Sequence, residues 1–387
     1  MQRALAQLRK SGANREYFFG KLASADWIDP LEKAGLFLHP PQAVRSEDSI
    51  SFSFWPESRY LARVANTAPE RVLATIKKVP ETDNVRVHED FIDAALAMPA
   101  QLAGEIAKGE TLWMATQDRL YFLLPDKLGE LAVHVVRGGL IDAGLALVRE
   151  VLRLAKPAEG RDFGEARFDD WHYQKVLNER FPEILQAAGD RALWLLCDLL
   201  EQGGDRAASA DLFSSAWRHA IEDHEQNRAY GEPEDVIFDT IRDGFVASLT
   251  AHPERIEPTL QALEARGSEL FRRLALYLAG ELRGLAPEAA RQRALRFEDF
   301  ENVGFHHEYS DLIRKTFPLL DERERGQLLT WIEDEAKRRA TGDADAKRSA
   351  DHWLLRRLAV LAGQLPPPLQ EKYDALMREF GPVEYPD

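Results

Sequence analysis

The chain has 387 residues, 45% hydrophobic and 30% charged, with a formal net charge of −15 at pH 7. That balance suits a folded protein with extensive helical surface and excludes wholesale disorder, while the acidic total disfavours a surface that tracks nucleic acid, which needs Lys and Arg to release counterions. Apolar runs such as Leu193 to Leu200 stop far short of the roughly 20 residues that cross a bilayer, and Met1 to Lys10 lacks the apolar region of a signal peptide. The expected location is the cytoplasm, with no membrane contact.

In chain order, residues 1–54 read as an atypical N-terminal cap. Tyr17, Phe18, Phe19, Trp27 and Phe37 look exposed, Pro40-Pro41 breaks the chain, and Ser49-Ile-Ser-Phe-Ser-Phe54 alternates with the period of a short strand. From residue 55 a helix start recurs: proline in the first turn, where its missing N–H costs nothing, followed by glutamate at the positive end of the helix dipole. Instances are Pro56-Glu57, Pro69-Glu70, Pro182-Glu183, Pro233-Glu234, Pro253-Glu254 and Pro287-Glu288. After Pro69, Val72, Ile76 and Val79 form one apolar stripe, and Val85 to Leu96 supplies a partner helix.

Further pairs follow: Leu128 to Val136 with Ile141 to Leu154, Val176 to Leu185 with Leu193 to Leu200, and Val236 to Leu249 with Ile256 to Leu263. Leu270 to Leu282 then pairs with Ala289 to Phe300, Leu312 to Leu319 with Leu328 to Ala336, and Trp353 to Leu361 with Leu369 to Phe380. Thr111 to Leu124 reads as a tight hairpin or an irregular linker, and flexible connectors are expected at Lys156 to Asp169 and Ala340 to Ala350. The lone cysteine, Cys197, aligns with Leu193, Leu196 and Leu200 and reads as a buried structural thiol.

Helix, short polar turn and helix at a period of roughly 30 to 45 residues is the range of helical-repeat arrays. The predicted fold is all-α: an irregular α-solenoid of antiparallel helix pairs, with the cap at 1–54, a first array at 55–157 and a second at 168–387. An internal echo, Pro69-Glu-Arg-Val-Leu-Ala-Thr-Ile76 against Pro253-Glu-Arg-Ile-Glu-Pro-Thr-Leu260, points the same way. Through these pairs the chain resembles the HEAT-like helical-repeat superfamily. Its Trp55-Pro-Glu-Ser-Arg-Tyr-Leu-Ala-Arg-Val64 and Thr82-Asp-Asn-Val-Arg-Val-His-Glu-Asp90 stretches are similar to those of uncharacterised bacterial helical proteins over about the first half. The resemblance implies the architecture and no catalytic residues.

Phosphate-loop, H-E-x-x-H, cysteine-pair and G-x-S-x-G signatures are missing from the sequence, and Gly138-Gly139 with Gly144 lacks the preceding strand of a dinucleotide site. The metal candidates are His306, His307, Glu308 and Asp311, because His307 and Asp311 at i, i+4 share a helix face. A solvated helix N-terminus gathers the same residue types. His88-Glu89-Asp90 with Asp93 reads as a surface turn, and Asp169-Asp170 before Trp171-His172 as helix capping. Glu222, Asp223, Glu225, Glu232, Glu234, Asp235, Asp239 and Asp243 form a candidate acidic, partner-binding edge, weighed against a merely solvated face. Basic clusters at Arg291-Arg293-Arg296, Lys337-Arg338-Arg339 and Arg356-Arg357 are balanced by nearby acids.

The expected function is a non-catalytic protein-binding scaffold or sensor without cofactors, binding another subunit of its own complex in a bacterial multi-component, antiphage-defence-like system. The alternatives are a HEAT-like nucleic-acid binder with a concave basic stripe, and a metal-dependent enzyme.

Overall fold

A computed structural model of the chain describes residues 12–47, 49–155, 164–203, 218–224, 227 and 232–383. The protein is all-α, with 71% of the described residues helical. Among the described residues the only strand ladder joins β1 (Val44–Arg45) to β2 (Ile50–Ser51), antiparallel, with Val44 opposite Ser51. The alternation at Ser49 to Phe54 thus yields a two-residue strand. The chain divides into two compact units, Met1–Asp205 with Gly231–Ile241, and Arg206–Tyr230 with Arg242–Asp387.

The first unit comprises α1 (Gly12–Lys21), α2 (Ile28–Lys33), α3 (Pro56–Val64), α4 (Pro69–Ile76), α5 (Val85–Leu96) and α6 (Ala100–Met114). It continues through α7 (Leu124–Arg137), α8 (Ile141–Val151), α9 (Asp170–Lys175), α10 (Phe181–Ala188) and α11 (Asp190–Gly203). The cap is better packed than its aromatic content suggests. Phe19 and Phe37 are buried while Tyr17 faces solvent, and Phe18 meets both Phe19 and Trp27 edge-on. Tyr60 of α3 ties the cap down by donating to the Ser24 carbonyl at 2.9 Å, and Arg63 donates to the Phe19 and Leu22 carbonyls.

Thr111 to Met114, read as part of a hairpin or linker, completes the last turn of α6. The helix persists because Met114 is buried and Trp113 anchors it, donating from Nε1 to the Thr82 carbonyl at 3.0 Å. The glycines at 138–144 have a packing role in place of a phosphate-binding one. Gly139, at φ +85°, turns the chain between α7 and α8, and a Cβ on Gly144 would stand 2.1 Å from Val136 Cγ2, so the two helices cross where only glycine fits. Between α9 and α10 the backbone widens into a π-helical turn, Val176–Arg180. Pro182 follows within a continuous helical run; it cannot donate to the preceding turn and crowds its carbonyl, which the wider turn accommodates. Cys197 on α11 is buried.

Helix α12 (Pro233–Ala251) runs through the division at Ile241. The second unit then comprises α13 (Ile256–Glu264), α14 (Glu269–Glu281), α15 (Pro287–Ala294), α16 (Phe297–Glu301), α17 (His306–Thr316), α18 (Glu322–Arg339), α19 (Ala344–Ala359) and α20 (Pro367–Phe380). Ala289 to Phe300, read as one helix, is two. Arg296 turns extended at φ −93°, ψ 108°, which lets Phe300 enter the core while Arg293 reaches back to Glu257 and Glu264. The connector expected at Ala340 to Ala350 is mostly helix: Asp343 caps α19 by accepting from the Ala346 N–H at 2.9 Å, and Ala350 is buried. Of the other expected connector, residues 156–163 lie outside the described residues. No helix among the described residues is long and apolar enough to cross a membrane.

Candidate functional site

The four metal candidates sit on the first turns of α17 but do not converge. Glu308 turns inward, where it accepts from Arg273 Nε and Nη2 at 2.9 and 2.8 Å and from the Ile221 N–H at 3.1 Å. Asp311 is taken by Arg314 and Lys315. His307 lies 3.3 Å from Glu222, and His306 Nδ1 lies 2.9 Å from Ser310 Oγ. Burial, and then the Arg357 charge, hold the His306 imidazole down to a pKa of about 4, so it is neutral at pH 7. Among the described residues no group of three or more His, Cys, Asp or Glu side chains is placed to hold a metal ion.

The acidic residues of the candidate edge are divided between the units. Glu222, Asp223 and Asp243 belong to the second, where Arg242 pairs with Asp223 at 3.0 Å and Asp243 at 2.7 Å. Glu232, Glu234, Asp235 and Asp239 belong to the first. Glu234 is half-buried, and burial pushes its carboxyl up to about 7. Glu225 lies outside the described residues. Of the basic clusters, Arg291-Arg293-Arg296 is absorbed by ion pairs: Arg291 with Glu324 at 2.7 Å, Arg293 with Glu257 and Glu264, and Arg296 with Glu264 at 3.0 Å. Asp169 caps α9, accepting from the His172 N–H at 3.0 Å.

His88-Glu89-Asp90 is no surface turn. It lies within α5, with His88 and Glu89 buried. His88 stacks on Trp113 with ring centroids 3.6 Å apart, its Nδ1 faces both carboxylate oxygens of Glu110 at 2.9 and 3.0 Å, and its Nε2 donates to the Thr82 carbonyl at 3.0 Å. This polar knot joins α5, α6 and the turn before α5 deep in the unit. Asp90, half-buried beside it, accepts a hydrogen bond from Ser58 Oγ, and Asp93 pairs with Lys127.

The same unit carries a surface that sequence reasoning missed. Arg59 sits 3.8 Å from the Phe54 ring centroid. Arg86 lies between Phe54 and Phe122, at 5.3 and 4.2 Å, and Phe122 meets Phe52, which packs on Tyr121. Arginine and aromatic side chains thus alternate from Arg59 to Phe122, and Phe52 and Tyr121 extend the row through an edge-on and a tilted ring contact. Its outer members are open to solvent, Phe54 at 55%, Phe122 at 46% and the adjoining Leu123 at 53%. Among the described residues Phe122 is the one non-glycine residue at positive φ, 56°, a conformation that costs a side-chain-bearing residue on the order of 1 kcal/mol.

Its neighbours impose that conformation: the Leu123 N–H donates to Glu89 Oε1 at 3.3 Å, the Leu120 N–H donates to the Arg167 carbonyl at 2.9 Å, and the buried Arg167 guanidinium holds the Met114 and Gln117 carbonyls. The only sequence trace was the aromatic pair Tyr121-Phe122 in a stretch without helical periodicity.

Fold and surface together define an all-α protein that presents an arginine–aromatic platform. Comparison with family models, with curated proteins and with solved structures finds no match.

Proposed function

We propose that the chain is a non-catalytic scaffold, built as an irregular HEAT-like array of helix pairs, that binds another protein of its complex through the platform of Phe52, Phe54, Tyr121, Phe122, Arg59 and Arg86. The single observation that carries this reading is Phe122, a large apolar side chain held outward on strained backbone; strain retained against solvent marks a contact surface better than a scattered exposed residue does. Consecutive helices that pack on one another, such as α7 on α8 and α18 on α19, support the array. The occupant fitting this chemistry is an extended segment with an apolar or proline side chain to lie on the rings and a neighbouring Asp or Glu to meet Arg59, since Arg86 is already paired with Glu89 at 2.9 Å.

A displayed library of random peptides selected on the full chain tests it. Enriched peptides should pair acidic with apolar or proline residues and lose at least about tenfold in affinity against Phe122→Gly. That variant also relieves the φ strain, so its stability should stay within about 1 kcal/mol of the parent. Enrichment of neutral or basic peptides, or binding indifferent to Phe122→Gly, would sink the proposal.

A further inference from the structure

Trp55, Arg59 and Arg63 recur every four residues at the start of and along α3, which places them on one face of it. With Phe19 and Pro41 they line a cavity of about 540 Å³ in the first unit, within the size range of small-ligand sites. Its depth is apolar, with Phe19 1% and Trp55 3% exposed. Its rim is charged, since Glu16, Arg59 and Arg63 are all exposed.

Two donors in this lining lack partners. Trp55 Nε1 is buried and meets no hydrogen-bond acceptor among the described residues, an omission that costs a buried donor about 1–3 kcal/mol. Arg59 lays its face on Phe54, but among the described residues none of its N–H groups takes part in a hydrogen bond or an ion pair. Asp90, whose carboxyl feels the Arg59 charge, is held instead by Ser58 Oγ. The other arginines of the lining are engaged: Arg15 pairs with Glu57, and Arg63 donates from Nη1 to the Phe19 and Leu22 carbonyls. The cavity therefore offers one open guanidinium edge and, a helical turn away on the same face, one unpaired N–H. That donor set suits a single carboxylate, whose two oxygens a guanidinium meets in parallel. A phosphate dianion would face Glu16 on the rim with no second guanidinium wholly free to balance it.

We propose that this cavity binds a small apolar monocarboxylate, its carboxylate on Arg59 with Trp55 Nε1 donating to one of the oxygens, and its apolar body against Phe19, Trp55 and Pro41. Phe54 and Arg59 border both this cavity and the platform, yet the proposal does not rest on the platform's reading: the ligand is a small molecule, and Phe122 does not line the cavity.

Calorimetric titration of the full chain with 1-naphthylacetate, with its neutral amide 1-naphthylacetamide and with inorganic phosphate, at about 50 mM salt, tests the proposal. The acid should bind saturably at one site with a dissociation constant below about 1 mM, and the amide at least about tenfold more weakly because it brings no charge to Arg59. Arg59→Gln should bring acid and amide to within about threefold of each other. Trp55→Phe, which keeps a ring and removes the N–H, should weaken the acid by about fivefold, while Arg191→Gln on α11 should leave binding unchanged. Should Trp55→Phe lose its helical circular dichroism, Arg59→Gln, at an exposed side chain, carries the test through the comparison of acid with amide. Absence of saturable binding by the acid below about 1 mM, equal affinity for acid and amide in the parent chain, or binding indifferent to Arg59→Gln would each overturn it. Phosphate binding more tightly than the acid would overturn the apolar body and assign the cavity to inorganic anions.

Discussion

Burial pushes the Asp90 carboxyl up to about 6, against the opposing pull of the Ser58 hydroxyl and the Arg59 charge. The folded chain therefore holds that proton more tightly than the unfolded chain does, whose aspartates titrate near their ordinary value of about 3.9. Stability attributable to Asp90 is lost as pH rises through the window between those values, and above it ionisation in the fold carries its full cost. Because each tenfold change in proton affinity is worth about 1.4 kcal/mol, that cost is at most about 3 kcal/mol. Asp90→Asn removes the charge while its amide oxygen still accepts from Ser58 Oγ. Urea unfolding at pH 7.5 should show the variant more stable than the parent by up to that amount, with the gap shrinking towards zero at pH 4. A variant destabilised equally at both pH values would mean that Asp90 acts through packing or hydrogen bonding that does not depend on its charge. His306 works in the opposite sense, because its depressed pKa costs stability as pH falls from about 6.5 towards 4. Residue by residue, little of this was legible in the sequence. His88 and Glu110 stand 22 positions apart, a separation with no meaning in helical periodicity. Arg273 and Arg293, both buried, look in one dimension like any surface arginine.

Helix starts were far more legible, because a proline in the first turn followed by glutamate is a local signal that needs no tertiary partner; Pro56, Pro69 and Pro287 all open helices. Helix ends at α6 and α15 were not, since both are decided by burial: Trp113 extends one helix, and the entry of Phe300 into the core divides the other. Glycines separate the two kinds of information. Gly144 and Gly326 both lie inside helices, where alanine is intrinsically better by about 1 kcal/mol. A Cβ on Gly326 meets nothing within 4 Å, whereas one on Gly144 meets Val136 Cγ2 at 2.1 Å and the Ala132 carbonyl at 3.1 Å. Overpacking of that kind costs about 1–3 kcal/mol and outweighs propensity. Thermal unfolding should therefore show Gly326→Ala more stable than the parent by about 0.5–1 kcal/mol and Gly144→Ala less stable by about 1–2 kcal/mol. A Gly144→Ala variant at or above parental stability would mean that α7 and α8 separate without cost and do not pack as the glycine contacts require.

Across the whole molecule, the net charge of −15 and the placement of the arginines act together on the nucleic-acid alternative. Duplex binding at physiological salt rests on neutralising several phosphates at once, typically about 6 to 10. Of the basic clusters, the one around Arg293 is consumed by Glu257, Glu264 and Glu324, and Arg338 and Arg339 share Glu335. Such pairing leaves too few charges to track a duplex against the repulsion of the remaining surface. A gel-shift titration with a duplex of about 30 base pairs should give no retained complex at about 10 μM protein and about 150 mM salt. A duplex complex that formed there, and weakened steeply with added salt, would displace the protein-binding reading. Its basic stripe would then have to come from residues other than the paired arginines of α15, leaving the Arg59–Arg86 platform as the surface to substitute first.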